Sequence, residues 1–281
     1  MAEIVRAAVV NYEVRGVSSH DEFLSRLVFW IDQAVSQGAN LVVFPESIDL
    51  ELLSLAPDLP DEDTAEFLAQ YSPLTFEFVR SQSQQRSITI IGGSHMSKSE
   101  AGFVNRCPIA RNGSLTFQDK VNLTQYELDP WNLSPGAGLN PVDEIGVTIC
   151  YDSEFPVSGR ILAEHGVLIQ VVPAYTEMVY GFNRVRWSCQ ARAVEHQNYV
   201  IHASLVGSLG REPVPSTYGS SAILCPSCEP YPPTGILAET ELNRAGMAIA
   251  DLDLALITLI RNQGDVRNWN DRSLGDFEVK N

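Results

Sequence analysis

The sequence predicts an α/β fold in which helices cover sheets, and three observations predict it. Short apolar runs alternate with segments of helical period from one end of the chain to the other. Hairpin-like regions show that the sheet is not purely parallel, and the clearest carries an Asn-Gly pair. No repeat and no low-complexity linker interrupts the 281 residues. One domain is therefore expected over 1–281, with a core over about 5–260 and a tail over 263–281.

The elements follow in order. Val5 to Asn11 reads as a buried strand. Asp21 to Gln37 has helical period, with Phe23, Leu24, Leu27, Val28, Ile31 and Val35 on one broad face, and Gly38 closes it. Leu41 to Phe44 is a strand stopped by Pro45, and Thr64 to Gln85 is a helical stretch broken near Pro73. Ser87 to Ile91 is the next strand. Val104 to Arg111 and Leu115 to Gln118 form a hairpin about Asn112-Gly113. Asn122 to Asn140 is a long polar loop, and Ile145 to Ile149 a strand. After a short helix come a strand over Val167 to Val172, a helix over Phe182 to Gln197 and a strand over Tyr199 to Val206. Ser220 to Leu224 and Met247 to Ala250 read as strands, and Leu252 to Arg261 as a helix. The polar tail after Gln263 is expected to lie over a surface.

Composition narrows the function. Hydrophobic residues make up 44% and charged residues 19%, as in a folded soluble chain. The net charge of −16, with no cluster of Lys and Arg, disfavours nucleic acid and anionic membranes as partners. The apolar stretch Ala7 to Val10 is too short for a signal-peptide core, and no run is long enough to span a bilayer. A cytoplasmic location is expected. Five cysteines, an odd number, argue against a disulfide framework.

Three residues each end a strand and open a loop. Cys150 ends an apolar strand in Gly146-Val-Thr-Ile-Cys150-Tyr-Asp-Ser-Glu-Phe-Pro156. A thiol at such a junction sits near backbone N–H groups and the positive end of a helix, which favour thiolate. The Tyr151 N–H is placed to meet a developing oxyanion. Taken alone, such a cysteine is more often a buried structural thiol. Glu46 ends Leu41-Val-Val-Phe-Pro45-Glu46, and apolar walls there would raise its proton affinity toward that of a general base. Lys120 ends Leu115-Thr-Phe-Gln-Asp119-Lys120, where a fixed positive charge suits an oxyanion. Singly, the last two read as ordinary loop residues. Together they matter, because strand ends in an α/β sheet converge on one crevice.

At this point the chain resembles the nitrilase superfamily of carbon–nitrogen hydrolases, whose hallmark is Glu, Lys and Cys in that order. The matching contexts are Phe44-Pro45-Glu46, Asp119-Lys120 with Leu123, and Cys150-Tyr151-Asp152 with Phe155-Pro156. Glu127, ahead of Trp131 and Ser134-Pro135-Gly136, resembles the family's second glutamate. Arg192-Ala-Val-Glu195-His-Gln-Asn-Tyr199 and Ala248 to Leu254 extend the likeness, which runs from about Val5 to Leu259. Departures are Val157, where a glutamate is frequent, and the inserted Cys225-Pro-Ser-Cys228-Glu-Pro-Tyr-Pro-Pro segment.

The resemblance implies a four-layer αββα sandwich and a thioester mechanism, with Glu46, Lys120, Cys150 and Glu127 as catalytic residues and no cofactor or metal. It also implies a homodimer or higher homo-oligomer. Tyr175, Thr176 and Glu177 follow a strand at the same edge and join Tyr151 as candidates for the substrate pocket. The expected substrate is a small linear amide. Nitriles and N-carbamoyl compounds stay open, although Tyr151 after the cysteine, in place of tryptophan, leans toward amides. A non-catalytic binding or scaffold protein on the same fold is the reading of another class.

Other residues invite other readings. Cys225-x-x-Cys228 lacks the second pair of a zinc ribbon, and its prolines forbid a redox helix, so a loop of free thiols is expected. His20, His95, His165, His196 and His202 show no ligand spacing and read as structural or surface residues. A papain-like hydrolase would need one of them beside Cys150. Glu195 is expected to be buried and paired.

Overall fold

A computed structural model describes residues 4–272. Among the described residues, twelve strands form two sheets joined at one place. In the first, β1 (Ile4–Val14) runs parallel to β2 (Leu41–Phe44), and β2 parallel to β3 (Thr89–Gly92). β12 (Gly246–Asp253) lies antiparallel to β1. On the far side, β5 (Gly102–Arg111) pairs antiparallel with β3, with β4 (His95–Ser99) and with β6 (Ser114–Asp119). The second sheet holds β7 (Ile145–Val147), β8 (Ile169–Ala174) and β9 (Tyr199–Gly207) in parallel, then β10 (Ala222–Leu224) and β11 (Ile236–Glu239) antiparallel. The sheets join where Tyr12 to Val14 pairs with Leu205 to Gly207.

The strands are apolar on both faces, and alternate residues serve different cores. Ala7, Val9, Leu41, Val43, Ile91 and Ile109 share one cluster with Ile145, Val147, Ile169 and Val171 of the second sheet. Their neighbours Ala8, Val10, Val42, Phe44 and Ile90 face the other way, onto helix α1 (His20–Ser36) and α3 (Ser72–Arg86). On α1, Phe23, Leu27 and Ile31 are fully buried, each worth about 1.5–3 kcal/mol of transfer free energy. Ser19 caps α1 by accepting from the Glu22 N–H. Against the second sheet lie α5 (Pro156–Glu164) and α6 (Val179–His196), whose Val185, Cys189 and Ala193 join the first cluster. Helix, sheet, sheet and helix form the expected αββα sandwich.

Several boundaries differ from expectation. The stretch from Thr64 divides into α2 (Thr64–Ala69) and α3, parted at Gln70-Tyr71. Pro73 lies in the first turn of α3, where its missing N–H has no helical partner to lose. The loop Asn122 to Asn140 contains α4 (Gln125–Leu128), held by a capping box between Thr124 and Glu127. Leu252 belongs to β12, and α7 (Leu254–Gln263) begins only after Asp253, whose carboxylate accepts from the N–H groups of Ala255 and Leu256. Strands β4 and β11 were not expected: β4 is short and polar, and β11 is only four residues long. Glu195 is paired with Arg192 but exposed, because its position on α6 points away from the sheet. Residues 264–272 lie over the fold, with the Trp269 N–H donating to Gln197 Oε1 and the Arg261 guanidinium over the Trp269 ring. The rest of the expected tail, 273–281, lies outside the described residues.

Candidate active site

β6 is antiparallel to β5, and β5 to β3, so β6 points the same way as β1, β2 and β3. Glu46 follows β2, Lys120 follows β6, Cys150 follows β7 and Tyr175 follows β8. All four leave the sheets at carboxyl ends of strands, and the turns there are tight. Ser47, directly after Glu46, is left-handed at φ 53°, and its N–H donates to Ser94 Oγ at 3.0 Å. Cys150 itself is left-handed at φ 45°, which costs a non-glycine residue about 1–3 kcal/mol.

The turn at Cys150 is held from both sides. Ser153 Oγ donates to the Cys150 carbonyl at 2.6 Å. The Asp152 carboxylate accepts from the N–H groups of Ile149, Val121 and Asn122, and from Asn122 Nδ2. Asp152 thereby ties the segment after Lys120 to the turn that carries Cys150.

Glu46, Lys120, Glu127 and Cys150 are each at most 6% exposed. Lys120 Nζ donates to Glu46 Oε1 at 2.8 Å and to Glu127 Oε2 at 2.7 Å. Thr124 fixes Glu127 from behind, its N–H and hydroxyl both donating to Oε2 at 2.9 Å. The Tyr175 N–H donates to Glu46 Oε2 at 2.8 Å, and the Cys150 thiol points at the Tyr175 carbonyl, 3.6 Å away. Asn105, on β5, was missed in the sequence. Its Nδ2 donates to Glu46 Oε1 at 3.0 Å and to Glu127 Oε1 at 2.9 Å. A signal existed: Asn105 interrupts a face that continues as Cys107 and Ile109 in the core between the sheets.

Burial dominates the proton affinities. It holds the Glu46 carboxyl above the ordinary glutamate value; Lys120 opposes this and Glu127 adds to it. For Glu127 burial acts the same way, but Lys120, Asn105 and Thr124 outweigh it and hold the carboxyl below its usual value. Burial disfavours the Lys120 ammonium, yet Glu127 and Glu46 together keep it charged well beyond the usual range. The Cys150 thiol is pushed well above its ordinary value by burial and by Glu46, against the pull of Lys120. This corrects the expectation that the strand-to-helix junction favours thiolate: desolvation beside a carboxylate outweighs it.

These residues open on a cavity of about 350 Å³, within the range of small-molecule sites. Its lining includes Tyr151, Tyr175, Thr176 and Glu177, together with Trp131 and Arg184, which were not foreseen. Thr176 Oγ1 donates away from the cavity, to the Tyr218 carbonyl at 2.8 Å, and Tyr175 Oη donates to the Pro213 carbonyl at 2.5 Å. No histidine is in the lining. His95, His196 and His202 are buried elsewhere, and His202 Nδ1 accepts from Arg186 Nε at 3.1 Å. Cys225 and Cys228 are free thiols. Among the described residues, no group of three or more His, Cys, Asp and Glu is arranged to hold a metal ion. Nor is any helix among them long and apolar enough to cross a membrane.

Comparison with known proteins places the chain. The carbon-nitrogen hydrolase family model matches residues 6–262. The chain belongs to that family. A probable hydrolase, YhcX of Bacillus subtilis, is 32% identical over 282 residues, covering 98% of this chain but 55% of that protein. The chain thus spans about half the length of that relative. Omega-amidase NIT2-B of Xenopus laevis is 27% identical over 98% of both chains. Among solved structures, Saccharomyces cerevisiae Nit3, a member of the nitrilase superfamily, superposes with a TM-score of 0.78 at 22% identity, covering 94% of this chain and 96% of its own.

Proposed function

We propose that this protein is a cysteine-dependent hydrolase that cleaves a small linear amide through a thioester. The observation that carries the reading is the buried array of Glu46, Lys120, Glu127 and Cys150 at the floor of a small-molecule cavity. The raised thiol stays protonated until substrate arrives, so attack and proton loss are coupled. Cys150 Sγ bonds to the amide carbon while its proton passes to Glu46. Of the two Glu46 oxygens, Oε1 already accepts from Lys120 and Asn105, whereas Oε2 accepts only the Tyr175 N–H. Oε2 is therefore the acceptor for the thiol proton. The carbonyl electrons move onto oxygen, which Lys120 Nζ and the Tyr151 N–H stabilise. Collapse expels ammonia, protonated by Glu46, and leaves a thioester. Water then gives its proton to Glu46 and attacks the thioester, releasing the acid and the thiol. Glu127 keeps Lys120 charged and in place.

The omega-amidases among the relatives favour an amide, one relative of similar identity is named a nitrilase, and Tyr151 after the cysteine tips the reading toward an amide. Tyr151, Tyr175, Thr176 and Glu177 are proposed to shape the substrate subsite. The chain is read as one hydrolase domain that works in the cytoplasm as a homodimer or larger homo-oligomer, on a small molecule. The test is an ammonia-release screen over small amides, nitriles and carbamoyl compounds, with Cys150→Ala as blank. Release from at least one linear amide by the wild type alone is expected. Equal release by the blank would sink the mechanism, and no release from any compound would favour a binding or scaffold protein on this fold.

A further inference from the structure

Asn105 takes no direct part in the steps above, yet its side chain lies at the centre of the charged array. It is 1% exposed. Its single Nδ2 bridges the two carboxylates, at 3.0 Å from Glu46 Oε1 and 2.9 Å from Glu127 Oε1. Lys120 Nζ bridges the same two carboxylates from another side. The four side chains therefore close a ring in which two donors alternate with two acceptors. The orientation of the amide is fixed by the same contacts, because a flipped Asn105 would set its oxygen against two carboxylate oxygens. In the orientation seen, Asn105 Oδ1 is buried without a hydrogen-bond partner. A buried orphan acceptor is a standing penalty, and the fold accepts it at a position whose same-face neighbours, Cys107 and Ile109, are apolar.

We infer that Asn105 is a positioning residue which saturates Glu46 Oε1, so that Glu46 presents Oε2 alone to Cys150 and loses its proton at a lower pH than Lys120 by itself would allow. The groups that face Glu46 are Lys120 after β6, Glu127 on α4, Cys150 after β7, the Tyr175 N–H after β8 and Asn105 on β5. Glu127 and burial hold the proton on, while Lys120 and the Tyr175 N–H draw it off. Asn105 adds a second side-chain donor on the same oxygen as Lys120. Lys120 spends two of its three N–H donors on the two carboxylates, and the third is left to turn toward an oxyanion. Removing Asn105 should raise the proton affinity of Glu46 and let its carboxylate rotate.

The inference rests on the proposed hydrolase reading, so the test includes a readout that needs no substrate turnover. Alkylation of Cys150 by iodoacetamide, followed by peptide-resolved mass spectrometry, reports how readily Glu46 takes the thiol proton at each pH. The wild type should show an acid-side inflection that Glu46→Gln abolishes. Asn105→Leu, matched in shape, should move that inflection up by about one pH unit and slow alkylation on its acid side by up to about tenfold. Asn105→Ser keeps one donor and should lie between, which serves if the leucine variant does not fold. On the best amide, kcat should fall in the same order with KM within about twofold. Slower reaction with an unmoved inflection in the folded variants would reduce Asn105 to a packing role and overturn the inference. So would a wild-type profile with no dependence on Glu46. A shifted inflection with no amide turnover by the wild type would instead remove the proposed substrate class and leave the role of Asn105 standing.

Discussion

Asp49 offers a test of the electrostatics that does not depend on catalysis. It lies in the turn Ile48–Leu55, just after Glu46, and is 2% exposed. Its Oδ2 accepts from the Met96 N–H at 2.7 Å, while among the described residues Oδ1 has no hydrogen-bond partner. Burial pushes the carboxyl from 3.8 up to about 8, so the folded protein keeps a proton that the unfolded chain releases. The sign follows from linkage: below pH 3.8 both states hold the proton, and between pH 3.8 and about 8 stability falls as pH rises. At 1.36 kcal/mol per pH unit, the loss reaches about 4 kcal/mol at pH 7 and about 5 at pH 8. Asn at this position keeps the acceptor for Met96 and cannot ionise, but its amide nitrogen takes the orphan place of Oδ1 at about 1–3 kcal/mol. Asp49→Asn is therefore expected to be close to neutral at pH 5 and more stable than the wild type by about 2–4 kcal/mol at pH 8. Urea unfolding of both proteins at several pH values across that range measures it, read as the difference between them. A difference that stays constant with pH would refute the reasoning, because only a carboxyl protonated in the folded state makes it vary.

Two further outcomes bear on the candidate site. The raised Glu46 carboxyl places the acid limb of kcat/KM above the ordinary glutamate value, with activity rising as Glu46 loses its proton; Glu46→Gln should lower the rate about a hundredfold to ten-thousandfold and erase that limb, as a pH series of ammonia release would show. A Cβ on Gly136 would lie 2.7 Å from the Asp119 carbonyl oxygen, and the Gly136 N–H donates to the Lys120 carbonyl at 2.7 Å, so Gly136→Ala should displace Lys120, lower kcat/KM about tenfold to a hundredfold and lower the melting temperature only modestly.

Much of the fold and of the candidate site could be read in the sequence, and the limits of that reading have physical causes. Glu46, Lys120 and Cys150 were legible because each follows the end of a strand and opens a loop, and the pleated chain gives such residues little choice of place. Their order then carried the family. The hairpin about Asn112-Gly113 was legible for a similar reason: both residues take positive φ, which that pair adopts with little strain. Strand β4 was not legible, since His95, Ser97 and Ser99 imitate a loop until Asp49 and β5 are packed against them. Asn105 escaped notice because nothing in its neighbourhood along the chain announces a partner. Glu46 and Glu127 lie 59 and 22 residues away, and only the stacking of β5 beside β3 and β6 brings all three together. The protonation of Cys150 was misread for a deeper reason. Proximity to N–H groups can be guessed from a strand-to-helix junction, whereas desolvation depends on what closes over the site. Here Glu46 and the loop carrying Tyr175 close over it. The same burial that raises the thiol also raises Glu46, and that parallel shift is what suits the pair. A base weak enough to stay charged beside Lys120 would leave the thiol its proton, whereas a base raised along with the thiol can take it as the carbon–sulfur bond forms.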